Sequence, residues 1–161
     1  MGSLILPEAG PVYLDANSFI YSVERISPYA GLLEPLWKAT QEGRFEIVSS
    51  ELVILETLVK PLRERDEVLT AVFRELLFDT QEVHLIAATA AIWEEAARLR
   101  ATLGLKTPDA LHAASALTSG STLLVTNDSH FRRVEGLTVA VLHEVLETEG
   151  RRESEREDER R

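Results

Sequence analysis

Short apolar runs alternate with helix-like patterns along this chain, and this alternation constrains the fold more than any other feature. Strands are predicted at 11–15, 45–49, 83–87, 121–126 and 137–142. Helices are predicted at 18–25, 29–42, 51–62, 67–78 and 90–103, and a further helix begins at 107. Strands that are separated by helices pair in parallel, with helices packed on both faces of the sheet. The sequence therefore predicts a three-layer α/β fold in which a central, mostly parallel sheet of about five strands is flanked by helices.

The segment Thr107-Pro108-Asp109 marks the start of the last predicted helix. Thr107 is predicted as its N-cap and Pro108 as its first residue, while Gly104 ends the preceding helix. The helix continues through Ala- and Leu-rich sequence over 110–117 and is apolar nearly all round. We therefore expect this helix to be central and buried.

The folded domain is predicted to span residues 1–148, and residues 149–161 are predicted to form a charged tail. Residues 151–161 comprise five Arg, five acidic residues and one Ser. A segment without apolar side chains has nothing to bury, so we expect the tail to be disordered or to form a frayed helix.

Composition restricts the class of function. The 161 residues include 17 basic and 27 acidic side chains, and the net charge of −10 disfavours a protein that coats nucleic acid electrostatically. It permits an enzyme that meets a polyanion at one local site through bound cations. The chain has no cysteine, which excludes disulfides, thiolate metal sites and a cysteine nucleophile.

No apolar run in the sequence approaches the ~18 residues that a membrane-spanning helix needs. Residues 1–11 also lack the basic flank and apolar run that are typical of a signal peptide. We therefore expect a cytoplasmic protein that makes no contact with a membrane.

Two aspartates follow predicted strands, at the edge where open parallel sheets bind ligands. Asp15 ends the first strand, and Asp128 follows the fourth strand in the polar segment that begins at Thr126. Either aspartate alone is explained as a helix cap, because Asp is favoured where a strand passes into a helix. Taken together, the two positions indicate a pair of carboxylates at one edge of the sheet.

Two further acids lie in largely apolar segments. Glu56 lies on an apolar helical face, where a buried carboxylate is costly unless it is paired. The alternative for Glu56 is an exposed salt bridge with Lys60, which contributes only ~0.2–0.5 kcal/mol. Asp109 lies in the first turn of its helix, where the alternative is a favourable interaction with the helix dipole of ~0.3–1 kcal/mol.

A metal site is predicted if these four acids meet. Clustered carboxylates repel one another, and either protonation or a divalent cation relieves the repulsion. Hard oxygen ligands suit Mg²⁺ or Mn²⁺. The predicted ligands are Asp15, Glu56, Asp109 and Asp128.

Four short segments carry a family resemblance. They are Val-Tyr-Leu-Asp-Ala-Asn at 12–17, the stretch 49–58 with Ser-Ser-Glu and Leu-Glu-Thr-Leu, Thr-Pro-Asp-Ala-Leu-His-Ala-Ala at 107–114, and Thr-Asn-Asp at 126–128. The third segment is the most specific. In these segments the chain resembles the PIN-domain family of nucleases, especially the VapC-type toxins of bacterial and archaeal toxin–antitoxin pairs.

The resemblance implies a PIN-like fold and a Mg²⁺-dependent endoribonuclease that hydrolyses RNA phosphodiester bonds, with Mn²⁺ as a substitute metal. It implies that Asp15 and Asp109 are the principal metal ligands. Asp128 would complete the acidic cluster, Glu56 would bind metal or orient water, and Thr126 would support the pocket with its hydroxyl group. A homodimer and a cognate antitoxin that blocks the site are also implied.

The acidity of the chain leaves open how RNA is held. Candidate contacts, each of which can equally be ordinary solvated surface, are Arg98, Arg100, Arg132 and Arg133. His112 lies one helical turn after Asp109 and His130 lies near Asp128. Both histidines are assigned structural roles, because a metal-activated water needs no histidine base.

Other functions remain open at this point. A phosphohydrolase could use Asp15 as a covalent nucleophile, but such enzymes place a second acid two residues later, where this chain has Asn17. A phosphoacceptor receiver would place a Lys after the fourth strand, and this chain has none there. The remaining alternative is a non-catalytic, PIN-like module that only binds a partner.

Overall fold

The computed structural model describes residues 3–160 and contains one parallel five-stranded sheet. Met1 and Gly2 of the predicted domain and Arg161 of the predicted tail lie outside the described residues. The strands are β1 (Val12–Leu14), β2 (Ile47–Ser50), β3 (Val83–Ile86), β4 (Leu123–Thr126) and β5 (Val139–Val141). Their order across the sheet is β3-β2-β1-β4-β5, and every neighbouring pair is parallel. The predicted α/β fold is therefore confirmed.

Seven α-helices in the described chain connect and cover these strands. They are α1 (Ala16–Val23), α2 (Tyr29–Gln41), α3 (Leu52–Glu64), α4 (Glu67–Arg74), α5 (Ala90–Leu103), α6 (Thr107–Thr118) and α7 (Leu142–Glu159). The single helix predicted over 67–78 is wrong in its last four residues, because a π-helical turn over Glu75–Asp79 follows α4. A 3₁₀ turn over Ser129–Arg133 connects β4 to β5.

The core lies in two layers on opposite faces of the sheet. Side chains alternate along a strand, so Val12 and Leu14 of β1 face a cluster that includes Phe19 of α1 and Leu33 of α2. Tyr13 faces the opposite cluster, which α5 and α6 build. The two clusters confirm the predicted three-layer arrangement.

Helix α6 is buried in the second cluster, as its composition predicts. Its small side chains Ala110, Ala113 and Ala114 are fully buried, which allows close packing against α5 and the sheet. The predicted N-cap is wrong by one residue: Lys106 occupies the N-cap position without a side-chain hydrogen bond, and Thr107 is the first helical residue. The Thr107 hydroxyl instead accepts a hydrogen bond from Arg100 Nη1 at 2.7 Å. A hydrogen bond from a charged guanidinium is stronger than one from a neutral backbone N–H, which is what an N-cap hydroxyl would accept.

The predicted alternatives for segment 149–161 are disorder and a frayed helix. In the described part of this segment the backbone is helical as far as Glu159, where α7 ends. All described residues from 151 onward are exposed, so this part of α7 adds nothing to the core. Opposite charges three or four residues apart, such as Arg151 and Glu155, support an exposed helix. The domain boundary at 148 stays a prediction.

Within residues 3–160, no helix combines the length and the apolarity that a bilayer crossing requires.

Candidate active site

The carboxyl ends of β1 and β4 place two of the predicted acids at the centre of one sheet edge. These strands are neighbours, Asp15 follows β1 directly, and Asp128 follows β4 after one intervening residue. Asp109 lies in the first turn of α6 and Glu56 lies within α3. The crevice beyond the carboxyl ends of the strands is where such sheets bind ligands.

Asp15 is buried, with 7% of its surface exposed, and both of its carboxylate oxygens accept hydrogen bonds. Oδ1 accepts from the backbone N–H of Ser18 at 3.1 Å and from Ser18 Oγ at 3.0 Å. Oδ2 accepts from Thr126 Oγ1 at 2.5 Å. Burial raises the pKa of Asp15, and the hydrogen bonds from Thr126 and Ser18 offset part of that effect. Asp15 is thus both the N-cap of α1 and a rigidly held carboxylate, whose Oδ2 retains a free lone pair.

Thr126 connects Asp15 to Asp128. While its hydroxyl donates to Asp15, Thr126 Oγ1 also accepts from the backbone N–H of Asp128 at 3.0 Å. Asp128 Oδ1 in turn accepts from the backbone N–H of His130 at 2.9 Å and lies 2.7 Å from His130 Nδ1. Thr126 therefore joins the Asp15 carboxylate to the backbone of Asp128, and its predicted supporting role stays a prediction.

Asp109 and Asp128 line one cavity of about 210 Å³, together with Lys106, His130 and Arg133. The pKa of the Asp109 carboxyl is raised by burial and then by the negative charges of Asp128 and Glu56. The interactions of Asp109 with His112 and Lys106 oppose these effects only in part. The two carboxylates of the cavity therefore lie beside Lys106 and Arg133, and the surroundings of Asp109 still disfavour its charged form relative to an exposed aspartate.

Glu56 does not form the salt bridge with Lys60 that was its predicted alternative. Lys60 Nζ instead pairs with Glu24 Oε1 at 2.9 Å, because the end of α1 lies within reach of α3. Glu56 Oε1 lies 2.6 Å from His112 Nε2. Glu56 thus faces α6 and contributes negative charge at Asp109.

His112 connects Glu56 to a residue that sequence reasoning missed. The imidazole is buried, and its Nδ1 lies 2.7 Å from Tyr13 Oη. Burial raises the pKa of the Tyr13 hydroxyl above its ordinary value, so Tyr13 keeps its proton. The sequence signal that could have identified this contact is the alternation of side chains along β1. It places Tyr13 on the opposite face from Val12 and Leu14, towards α6.

Three of the four arginines proposed for RNA contact are engaged by other groups. Arg98 pairs with Glu95 and Arg132 pairs with Glu144. Arg100 donates to the Leu105 carbonyl at 3.1 Å and also to Thr107. Of the four, Arg133 is the one that lines the cavity of Asp109 and Asp128.

The donor chemistry of this cavity fits a hydrated divalent cation. Within residues 3–160, no three Asp, Glu or His side chains approach one another closely enough to form a metal site on their own. Mg²⁺ needs fewer protein ligands, because it keeps several waters and binds one or two carboxylates. Asp109 and Asp128 line one cavity and would supply such a pair. The full ligand set of Asp15, Glu56, Asp109 and Asp128 stays a prediction.

Comparison with known families assigns the chain. The PIN domain profile matches residues 12–137, which include β1 to β4 and all four predicted acids. The chain belongs to the PIN domain family. PIN domain nucleases are hydrolases that act on nucleic acids, and they generally use divalent metals.

Solved structures share this PIN fold. The VapBC2 structure from Rickettsia felis, bound to a DNA fragment from its promoter, matches with a TM-score of 0.61 and 20% identity, over 81% of this chain and 97% of that chain. DNA-bound VapBC from Salmonella typhimurium matches with a TM-score of 0.62 and 17% identity, over the same shares. A toxin–antitoxin complex from Klebsiella pneumoniae matches with a TM-score of 0.57 and 20% identity, over 80% of this chain and 95% of that chain. No curated protein matches the sequence.

Proposed function

We propose that this PIN domain is a Mg²⁺-dependent endoribonuclease that hydrolyses RNA phosphodiester bonds. The observation that carries the proposal is the cavity shared by Asp109 and Asp128, in which the pKa of Asp109 is raised by burial and by neighbouring carboxylates. Neighbouring carboxylates that raise one another's pKa at the carboxyl edge of a parallel sheet favour a divalent cation. Membership of the PIN family supports the same activity.

The four acidic side chains would bind the metal and orient the attacking water. Asp109 and Asp128 would hold the metal, and Asp15 would add a ligand through the lone pair that Thr126 leaves free on Oδ2. Glu56 would bind metal or orient the attacking water through the oxygen that His112 does not engage. A bound divalent cation supplies activation of water and neutralisation of charge at the phosphate.

The same cavity offers cations for the substrate. Lys106, His130 and Arg133 line it beside the two aspartates. A phosphodiester placed there would meet positive charge locally, although the whole chain has a net charge of −10. RNA binding by this arrangement needs only a few phosphate contacts rather than a broad basic surface.

Arg133→Ala is expected to weaken the binding of single-stranded RNA and to lower the slope of log K against log salt concentration by about 1, the effect of losing one phosphate contact. The measurement is RNA binding in EDTA at several salt concentrations. Arg132→Ala is the matched control, because it removes the same charge from the next residue, whose guanidinium is paired with Glu144. Equal effects of the two substitutions would contradict a specific role for Arg133.

We also propose that the chain is the toxin of a toxin–antitoxin pair, acts in the cytoplasm and forms a homodimer. The similarity in fold to VapBC complexes supports a cognate antitoxin as partner. Exposed apolar side chains on α3 and α4, including Leu55, Leu62 and Val68, provide surface for contact with another protein chain.

A phosphohydrolase with Asp15 as the covalent nucleophile is disfavoured. Asp15 is buried and both its oxygens accept hydrogen bonds from Ser18 or Thr126. An attacking carboxylate oxygen needs access to the phosphorus atom, and this arrangement restricts that access. The partner-binding module without catalysis is tested together with the nuclease.

The deciding experiment incubates the purified chain with a total RNA pool in Mg²⁺ or in EDTA and maps the new 5′ ends. We expect new ends in Mg²⁺ at a restricted set of sequences and none in EDTA. Intact RNA in both Mg²⁺ and Mn²⁺ would contradict the nuclease and favour the partner-binding module. Undiminished cleavage in EDTA would contradict the metal dependence.

A further inference from the structure

A chain of hydrogen bonds links the backbone at the end of β2 to the carboxylate of Glu56. The backbone N–H of Ser50 donates to Tyr13 Oη at 3.0 Å. Tyr13 Oη lies 2.7 Å from His112 Nδ1, and His112 Nε2 lies 2.6 Å from Glu56 Oε1. Ser50, Tyr13 and His112 are buried, whereas the Glu56 side chain is 27% exposed. The chain therefore leads from the core to the candidate active site.

For a neutral imidazole, the chemistry of the two ends fixes the direction of this chain. A backbone N–H can only donate, so Tyr13 Oη accepts from Ser50 and its own proton remains available for donation. A carboxylate can only accept, so the hydrogen between His112 and Glu56 belongs to Nε2. The neutral imidazole that satisfies both ends carries its proton on Nε2 and accepts from Tyr13 at Nδ1.

We propose that Tyr13 and His112 are positioning residues that fix the Glu56 carboxylate for metal or water binding. The inference rests on the proposed function, in which Glu56 has that role. Tyr13 donates to Nδ1 and holds the imidazole in place. His112 then donates from Nε2 to Oε1 and leaves Oε2 available. Groups that orient a metal-binding or water-binding side chain in this way set its geometry without touching the substrate.

Two substitutions of similar polarity separate positioning from simple packing. In His112→Gln, the side-chain amide extends to about the place of Nε2 and can still donate to Glu56. In His112→Asn, the amide ends near the place of Nδ1 and leaves Glu56 without its donor. We expect His112→Asn to raise the Kd for Mn²⁺ by about 10–100-fold, the range that loss of such an orienting partner produces. We expect His112→Gln to retain most of the wild-type affinity.

Two controls accompany the Mn²⁺ titration. Melting of the metal-free variants reports packing, and a purely structural role would lower the two melting temperatures together without separating the two affinities. Tyr13→Phe removes only the hydroxyl, and we expect it to weaken Mn²⁺ binding less than His112→Asn does. Equal Mn²⁺ affinity in wild type and His112→Asn would overturn the proposal.

The imidazole tautomer is a readout that needs neither metal nor RNA. In two-bond ¹H–¹⁵N correlation spectra of the metal-free chain, we expect His112 to show an unprotonated Nδ1. We expect Tyr13→Phe to move the ¹⁵N resonance of Nδ1, because it removes the donor to that atom, while Glu56 keeps the proton on Nε2. A proton on Nδ1 of His112 in the wild-type chain would overturn the relay. Failure of the wild-type chain to bind Mn²⁺ at all would instead count against the proposed function, and the tautomer would still test the hydrogen-bond chain.

Discussion

Asp109→Asn is expected to reduce RNA cleavage at least about a hundredfold, because it removes one of the two carboxylates that line the candidate metal cavity. Loss of a group that merely orients a metal ligand costs about 10–100-fold, so loss of a ligand should cost at least as much. The measurement is the single-turnover cleavage rate on an RNA that the wild-type chain cuts. Glu67→Gln is the matched control, since Glu67 also lies in the first turn of a helix but outside the cavity. A variant that retained the wild-type rate would show that Asp109 is not a metal ligand.

The same Asp109→Asn substitution should stabilise the metal-free chain at pH 7. An acid in the first turn of a helix gains ~0.3–1 kcal/mol from the dipole, but the raised pKa of Asp109 indicates that burial and the charges of Asp128 and Glu56 outweigh this gain. A raised pKa contributes stability below the unfolded value of 3.8, and that contribution is lost as the pH rises through the folded value. The difference in melting temperature between variant and wild type should therefore be greatest near neutral pH and shrink on acidification.

Mg²⁺ or Mn²⁺ is expected to raise the melting temperature of the wild-type chain by about 5–10 °C at a metal concentration of 100 times the Kd. Binding to the folded state alone contributes about 2.7 kcal/mol under that condition, and a domain of this size gains about 2–4 °C for each kcal/mol. The reason for binding is the relief of repulsion among carboxylates that are already partly buried. The measurement is thermal unfolding over a metal titration.

Two variants make the metal titration specific. Asp109→Asn and Asp128→Asn should each abolish most of the shift, whereas Glu67→Gln should leave it intact. An unchanged melting temperature at millimolar Mg²⁺ and Mn²⁺ would contradict a metal site in the wild-type chain. A shift that persisted in both aspartate variants would place the metal elsewhere.

The parts of this fold that sequence reasoning could predict depend on short-range patterns. Apolar runs separated by helical patterns predicted all five strands, and Asp15 and Asp128 were identified because each follows a strand. Glu56 and Asp109 were identified from an apolar helical face and a first helical turn, and the family resemblance added Thr126. The metal-binding or supporting roles of these residues stay predictions.

The contacts that sequence reasoning missed depend on how distant elements pack. Lys60 had an acidic neighbour one helical turn away, yet it pairs with Glu24 because α1 and α3 lie side by side. The contact between Tyr13 and His112 joins residues 99 positions apart. No local pattern distinguishes a buried tyrosine that fills space from one that orients an imidazole.

The alternation of side chains along β1 limits how the sequence of this strand can change during evolution. Val12 and Leu14 enter one core layer and Tyr13 enters the other, so inserting or deleting one residue would send each side chain to the wrong layer. It would also turn the side chain of Asp15, which directly follows the strand, away from the Thr126 hydroxyl group. This short strand can therefore diverge by exchange of side chains at fixed length, whereas the surface loops of the chain are free to grow or shrink.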